Sequence, residues 1–283
     1  MKIGGYSLFP IPAGRFRLDG GAMFGVVPKA LWEREHPADE HNRIEVVARS
    51  LLVAGEGRLL LVDTGIGQSW TEKERARYAV DPAVRLEDSL AALGYRPEEV
   101  THVLQTHLHF DHAGGAMVER GGRRVPLFPR AEYLVQKRHW QWAQAPSDRD
   151  RASFRPEDWE GLAGSGQLRL LDGEEEFLPG LHLHLVHGHT PHQQLLRVSD
   201  GRDSLLYCSD LVPFLSQVRL PWIMAYDLNP LATLEEKRRL LGRAAAEDWL
   251  LFLEHDPLVQ TCRVRQGARG LEAVPAATSP AAS

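Results

Sequence analysis

Three histidines and an aspartate fall within six positions of the segment THLHFDHAGG, residues 106–115. His107 and His109 alternate along the chain as it leaves a predicted strand, so both imidazoles can point in the same direction. Asp111 and His112 follow one turn later, where Ala-Gly-Gly lets the backbone bend sharply. Imidazole and carboxylate groups are ligands for zinc and other divalent metals. The segment therefore predicts two pairs of ligands directed at two adjacent metal ions.

A purely structural role for this segment is disfavoured by its hydrogen-bonding needs. A histidine that stands alone after a strand is usually a polar loop residue. Four such groups packed together without a cation would bring several polar atoms together with too few donors and acceptors to pair them. The clustering thus favours metal binding over packing.

Further ligand types come at the ends of other predicted buried strands. His189 lies in a Gly-His-Thr-Pro turn, Asp210 ends the run LLYCSD, and His255 ends LLFLEH. Asp210 could instead cap a helix, but its two oxygens also suit it to bridge two cations. Asp63 ends RLLLVD without ligand spacing, and we interpret it as a turn residue or as a group that orients a ligand histidine. Because strand ends can converge at one edge of a sandwich, these residues are expected to meet His107.

The elements that must position these residues alternate along the chain. Strands are predicted at 43–54, 58–65, 102–106, 132–136, 167–171, 181–187, 193–198, 204–208 and 249–255, and helices at 84–94, 137–144, 156–163 and 231–247. Early hairpins followed by alternating helices and strands predict an α/β sandwich of two sheets covered by helices. We expect one domain over 1–275. Within it, 10–42 is expected to be an irregular loop, serving as a lid or a dimer arm, and 276–283 is expected to be a disordered tail.

Composition excludes several classes of function. The chain has 283 residues and a net charge of −5, which argues against a large basic surface for nucleic acid. No run of 18 apolar residues could span a membrane, and the first residues lack the apolar core of a signal peptide. Cys208 and Cys262 are the only cysteines, too few for a disulfide framework. These features predict a soluble cytoplasmic protein.

The motifs H-x-H-x-D-H at 107–112, GHT at 188–190, SD at 209–210 and EHDP at 254–257, with VDTG at 62–65, resemble those of the metallo-β-lactamase superfamily. The resemblance covers most of the chain and implies a four-layer αββα sandwich with a dinuclear metal site at one edge. It implies that the first metal is held by His107, His109 and His189, the second by Asp111, His112 and His255, and that Asp210 bridges them. Zinc is the expected metal, and iron, manganese or cobalt also fit this donor set.

Two departures from the family pattern are present. Many relatives read G-H-T-P-G-H, whereas this chain has His192 after Pro191, so the turn behind His189 is expected to differ. The best-known class B β-lactamases carry a cysteine ligand where this chain has Asp210, and Cys208 lies two positions away, which disfavours antibiotic hydrolysis.

HLHFDHAGG and the irregular N-terminal loop resemble the lactonase branch, which includes acyl-homoserine lactonases and organophosphate hydrolases. Those lactonases hold the substrate carbonyl with a tyrosine, and Tyr226 is the candidate here, although a packing role fits it equally well. Asp111 is expected to pass a proton to the leaving alkoxide. Candidates for an apolar wall around an acyl chain are Met23, Phe24, Trp32, Trp222 and Ile223.

The resemblance therefore implies a metal-dependent hydrolase in which a bridging hydroxide attacks the carbonyl of a lactone or related ester. The expected substrate is a small molecule with an apolar acyl part, such as an N-acyl homoserine lactone, and a homodimer is left open. The alternatives are a thioester hydrolase of the glyoxalase II type and a phosphotriesterase or phosphodiesterase on the same fold. A further alternative is a metal-stabilised binding protein on a hydrolase scaffold that has lost its activity.

Overall fold

The computed structural model describes residues 1–268 and 270–276. Within them sixteen strands form in chain order: β1 Lys2–Ile3, β2 Tyr6–Asp19, β3 Arg43–Gly55, β4 Arg58–Val62, β5 His102–Leu104, β6 Met117–Arg120, β7 Arg123–Pro126, β8 Glu132–Gln136, β9 Leu168–Leu171, β10 Glu176–Leu178, β11 Leu181–Val186, β12 Gln193–Ser199, β13 Ser204–Tyr207, β14 Leu250–Phe252, β15 Thr261–Gly267 and β16 Gly270–Pro275.

The same residues form eight α-helices: α1 Gly20–Phe24, α2 Lys29–Trp32, α3 Glu72–Tyr78, α4 Leu86–Ala92, α5 Phe110–Ala113, α6 Lys137–Gln144, α7 Leu162–Ser165 and α8 Pro230–Ala246. Short 3-10 turns occupy Pro97–Glu99, Arg151–Ser153, Pro156–Asp158, Ser209–Leu211 and Leu215–Val218. Within this described part of the chain, no helix is long and apolar enough to cross a membrane.

The strands form two seven-stranded sheets. The first has the order β1-β2-β3-β4-β5-β8-β9 and the second runs from β10 to β16 in sequence, while β6 and β7 form a separate hairpin. Apolar side chains of the two sheets, among them Leu51, Leu134 and Leu196, share one buried cluster. Helices α4 and α6 pack on the outer face of the first sheet, and α8 packs on that of the second. The predicted four-layer αββα sandwich is therefore confirmed.

The prediction of an irregular loop over 10–42 is wrong for its first ten residues, because β2 continues to Asp19 and pairs with β3. Pro10 and Pro12 lack N–H groups, and prolines so close together are typical of a break in a strand. Because the two prolines are two residues apart, the positions where an N–H would stand lie on the same side of the strand. That side can be the free edge of β2, since β1 covers only Tyr6 and Ser7. The residues after β2 contain the short helices α1 and α2.

Other differences are local. The helix predicted over 156–163 is divided, because a 3-10 turn at Pro156–Asp158 precedes α7. The strand predicted over 249–255 is shorter, and β14 ends at Phe252. The disordered tail predicted over 276–283 lies, apart from Ala276, outside the described residues. A dimer-arm role for the N-terminal segment stays a prediction.

Candidate metal centre

The predicted ligands meet because parallel strands end at the same edge of each sheet. In the first sheet β4 and β5 are parallel, and their carboxyl ends lead to Asp63 and His107. In the second sheet β13 and β14 are parallel, and their carboxyl ends lead to Asp210 and His255. The turn between β11 and β12 brings His189 to this edge. The expectation that these strand ends converge is thus confirmed.

The first group of facing ligand atoms contains His107, His109, His189 and Asp210. Nδ1 of His109 lies 3.1 Å from Nε2 of His107 and 3.1 Å from Nε2 of His189. Oδ2 of Asp210 lies 3.0 Å from Nε2 of His189. All four side chains are buried. Three imidazole nitrogens and one carboxylate oxygen therefore surround a single point.

The second group contains Asp111, His112 and His255. Nε2 of His255 lies 3.3 Å from Nε2 of His112, and Oδ2 of Asp111 lies 3.8 Å from Nε2 of His255. Oδ1 of Asp210 reaches this group at 2.9 Å from Nε2 of His255, whereas its Oδ2 contacts the first group. Asp210 therefore stands between the two groups with one oxygen directed at each.

The outer ring nitrogens of four histidines are already committed to other partners. Nδ1 of His189 faces Oδ1 of Asp227 at 2.9 Å, and Nδ1 of His255 faces the Val47 carbonyl at 2.8 Å. Each of these partners can only accept, so each Nδ1 carries the proton and each Nε2 presents a bare lone pair to the cluster.

The other two histidines follow the same pattern. Nδ1 of His112 faces Oδ2 of Asp63 at 3.0 Å, and Nδ1 of His107 faces the Thr106 hydroxyl at 3.1 Å. The Thr106 hydroxyl donates to Asp63 at 2.7 Å, which leaves its lone pairs to accept from His107. Lone pairs that face one another across about 3 Å require a cation between them.

An unpaired atom and shifted pKa values agree with this requirement. Oδ1 of Asp210, which faces the ligands, is buried without a hydrogen-bond partner. Burial opposes protonation of His189, yet the carboxylates of Asp210 and Asp227 raise its pKa to about 10. Burial also opposes protonation of His255, whose pKa the Asp210 carboxylate raises to about 9. A proton there substitutes for a cation, so the donor set fits divalent metal ions.

Two buried carboxylates support His112. Oδ2 of Asp63 lies 3.0 Å from its Nδ1, and Oε2 of Glu254 lies 3.2 Å from the same atom. Asp63 also accepts hydrogen bonds from the Thr106 backbone N–H and hydroxyl, both at 2.7 Å. The predicted contact of Asp63 with a ligand histidine is therefore present. The contact of Glu254 was not predicted, because its only signal in the sequence is its position next to His255.

His189 is held from helix α8. Oδ2 of Asp227 accepts from the Thr233 hydroxyl at 2.7 Å, while its Oδ1 faces His189. Glu236, three residues along the helix, accepts from the backbone N–H groups of His187 and Gly188 at 2.7 and 3.1 Å. One helix therefore fixes both the ring and the backbone of this ligand.

His139 joins the two ligand loops, a contact that sequence reasoning missed. Its Nε2 accepts from the Leu108 N–H at 2.9 Å, and its Nδ1 donates to the Pro191 carbonyl at 2.9 Å. These backbone partners fix one neutral tautomer. Burial lowers the pKa of His139 to about 4, so the bridge persists at neutral pH.

His192, in the turn behind His189, has a φ of 59°, a left-handed conformation that glycine adopts more readily than other residues. The expectation that this turn differs from that of relatives stays a prediction.

A cavity of about 130 Å³ lies over the ligands. Ala152 and Ser153 are part of its lining, and its larger apolar and aromatic lining residues are Leu18, Met23, Tyr78, Phe110, Met224 and Tyr226. Tyr226 thus lines the same cavity as Asp210, and burial raises its pKa, so its hydroxyl stays protonated.

The apolar wall predicted from the sequence is only partly present. Met23 lines the cavity over the ligands, but Phe24 and Trp32 stack on each other with ring centres 5.3 Å apart in the adjacent core. Trp222 packs edge-on against Phe24, and Ile223 lines a different cavity. Aromatic residues near a site segment can serve the core equally well, and the sequence did not separate the two roles.

Comparison with known proteins agrees with this geometry. The model of the metallo-beta-lactamase superfamily matches residues 44–255, which span every candidate ligand. The chain belongs to this superfamily. Its homologues and structural neighbours are metallo-hydrolases. The chain is therefore a metal-dependent hydrolase.

The relatives similar to this chain in sequence include lactonases and probable metallo-hydrolases. A Bacillus cereus N-acyl homoserine lactonase is 24% identical over 209 residues, which cover 70% of this chain and 72% of the relative. A probable metallo-hydrolase of Mycobacterium tuberculosis is 28% identical over 277 residues, which cover 83% of this chain and 85% of the relative.

Solved structures give the same fold. A probable metal-dependent hydrolase from Staphylococcus aureus superimposes with a TM-score of 0.89 at 27% identity, covering 99% of this chain and 100% of its own. A second solved structure is AidC, a dizinc quorum-quenching lactonase in complex with a product, N-hexanoyl-L-homoserine. It superimposes with a TM-score of 0.82 at 20% identity, and the match covers 99% of this chain and 97% of AidC. The latter identity shows a shared fold alone.

Proposed function

We propose that this chain hydrolyses the ester bond of a lactone with an apolar acyl part, at a dinuclear centre. The observation that carries the proposal is the pair of facing ligand groups that share Asp210 beneath an apolar cavity. The lactonase names of several relatives support the choice of substrate. A cytoplasmic location and a homodimer stay predictions.

The proposed ligands of the first metal are His107, His109 and His189, and those of the second are Asp111, His112 and His255, with Asp210 shared. Imidazole and carboxylate donors without a thiolate suit zinc. When bound, a pair of divalent ions supplies an acidified water molecule and polarises a carbonyl oxygen.

The chain's own residues supply the remaining chemistry. Tyr226 lines the cavity with a protonated hydroxyl, and in this proposal it donates to the substrate carbonyl oxygen, where negative charge develops in the transition state. Asp111 also lines the cavity, and its carboxylate takes a proton from the attacking water and passes it to the leaving alkoxide. Met23, Tyr78 and Phe110 exclude water from the ester.

The lining also discriminates between substrate classes. Among the described residues, no arginine or lysine lines this cavity. The carboxylates of a glutathione thioester lie away from the reacting carbonyl, and such a lining leaves them without a cationic partner. A neutral lactone meets no such cost, and we therefore favour it over the thioester. Two bound metal ions would themselves pair with a phosphodiester, so the choice of a lactone over a phosphodiester rests on the lactonase names of the relatives.

The test is ring opening of N-hexanoyl-homoserine lactone, followed by proton release with a pH indicator. Zinc-loaded enzyme is compared with a chelated sample, with Asp210→Asn and with Leu258→Asn, a change at an exposed side chain that does not line the cavity over the ligands. We expect turnover in the loaded wild type and in Leu258→Asn, and its loss in the other two. Absence of turnover in protein that holds two metals would contradict the proposal. Aryl esters, phosphotriesters and thioesters would then identify the bond that is cleaved.

A further inference from the structure

Met224 separates two cavities. On one side lies the cavity of about 130 Å³ over the ligands, and on the other lies an outer cavity of about 940 Å³. Met224 and Asp227 are near both, and the Met224 side chain is 5% exposed. Ligand cavities that enclose most of a small molecule usually measure about 300–1,000 Å³. The inner cavity is below that range, and the outer cavity lies within it.

The outer cavity is lined mainly by apolar side chains: Leu220, Ile223, Leu228, Leu231, Leu234 and Leu271. The arginines at its rim have partners. Arg219 pairs with Glu35 at 2.7 Å, Arg238 contacts Glu235, and Arg149 donates to the Ala225 carbonyl. With these cations engaged, the cavity favours an uncharged chain over an anionic group.

The backbone on which Met224 stands is fixed at several points. The buried Lys237 ammonium donates to the carbonyls of Arg219 and Trp222 at 2.9 and 2.8 Å. The Ala225 N–H donates to the Ala22 carbonyl at 2.8 Å. Gly25 packs so closely that a Cβ there would lie 2.5 Å from the Ile223 carbonyl oxygen. These contacts restrain the backbone, whereas the unbranched Met224 side chain can rotate.

We propose that the outer cavity binds the distal part of the substrate's acyl chain and that Met224 is the gate through which the chain passes. This inference rests on the proposed function and specifies its substrate class as long-chain acyl lactones. The inner cavity holds the ring and the carbonyl. A longer chain displaces the Met224 side chain and enters the outer cavity. Each methylene buried there is expected to raise affinity about fourfold.

The experiment compares N-butanoyl- and N-decanoyl-homoserine lactone. Two variants perturb the outer site: Leu234→Glu places a charge in the cavity, and Met224→Ile replaces a flexible gate with a β-branched, stiff one. Leu258→Glu is the matched control, because Leu258 is 84% exposed and lines neither cavity. We expect wild type and control to prefer the decanoyl lactone at least tenfold in kcat/KM, and both site variants to lose that preference.

A binding measurement separates this inference from the proposed function. Calorimetric titration with the ring-opened N-decanoyl- and N-butanoyl-homoserine requires no turnover. Tighter decanoyl binding that depends on Leu234, without lactone turnover, would retain the chain site and overturn the proposed function.

Lactone turnover with equal kcat/KM for both chain lengths, unchanged by Leu234→Glu, would overturn the chain site alone. The chain site would also be overturned if neither protein preferred one chain length and if the wild type sedimented as a dimer but Leu234→Glu as a monomer. The cavity would then be a contact between two copies of the chain.

Discussion

The two carboxylates behind His112 allow a sharp test of how the second metal is held. Asp63 Oδ2 and Glu254 Oε2 face the same Nδ1 at 3.0 and 3.2 Å. Asp63→Asn removes one charge with little backbone disturbance, because φ at this position is 58° and asparagine tolerates that region. The new amide group would face the His112 N–H with a donor in place of an acceptor.

The expected magnitude follows from the role of the contact. Loss of a carboxylate that orients a ligand histidine lowers metal affinity about 10–100-fold, which corresponds to about 1.4–2.7 kcal/mol. Asp63→Asn should fall in this range. Glu254→Gln should lower metal affinity less than about fivefold, since Glu254 accepts no hydrogen bond from Nδ1 and only its charge beside the ring is lost. The double variant should lose more metal-binding free energy than the two single variants together, because neither carboxylate can then compensate for the other.

The assay is zinc titration of stripped protein against a competing chelator, which resolves the two binding steps. Asp227→Asn is the matched control, because Asp227 orients His189 in the other ligand group. Asp63→Asn should weaken one binding step and Asp227→Asn the other. If Asp63→Asn binds both ions as tightly as wild type, the reasoning about His112 is refuted.

Three further changes have separate expected outcomes. Tyr226→Phe should lower kcat by about a hundredfold with unchanged metal content, since one donor to the developing oxyanion is lost; an unchanged kcat would assign Tyr226 to packing. His192→Gly should raise the free energy of unfolding by about 1 kcal/mol, because relief of left-handed strain outweighs the added chain entropy; chemical denaturation measures it, and a loss of stability would contradict it. Asp158 is 1% exposed and neither of its oxygens accepts a hydrogen bond, although Arg155 lies 3.5 Å from Oδ2 and Arg124 lies 3.9 Å from Oδ1. Burial raises its pKa from 3.8 to about 7. Between those pH values the folded state binds more protons than the unfolded state, so wild-type stability should fall by up to about 4 kcal/mol as pH rises from 4 to 7. Asp158→Asn should not show this component, and parallel pH profiles for the two proteins would refute it.

The ligand cluster could be predicted because its signal is local in sequence and its geometry follows a general rule. His107, Asp210 and His255 each come soon after a buried strand, and parallel strands end at one edge. The strands themselves were evident from apolar runs. Convergence of the ligands therefore required no knowledge of individual side-chain contacts.

The supporting contacts could not be predicted in the same way. His139 lies on α6 with no neighbouring ligand type, and its role depends on two backbone groups from distant loops. Asp227 acts through a contact across 38 positions. Strand β2 was missed because Pro10 and Pro12 oppose strand formation locally, and only pairing with β3 compensates for them. Long-range partners decide these features, and short sequence windows do not contain them.

The central claim is that lactone hydrolysis requires both ligand groups to be filled. The most direct measurement is the initial rate of N-hexanoyl-homoserine lactone opening as stripped protein is titrated with zinc, with bound zinc counted at each point. We expect activity to rise with the second equivalent of zinc and to reach its plateau at two ions per chain. Full activity at one ion per chain, or none at two, would contradict it.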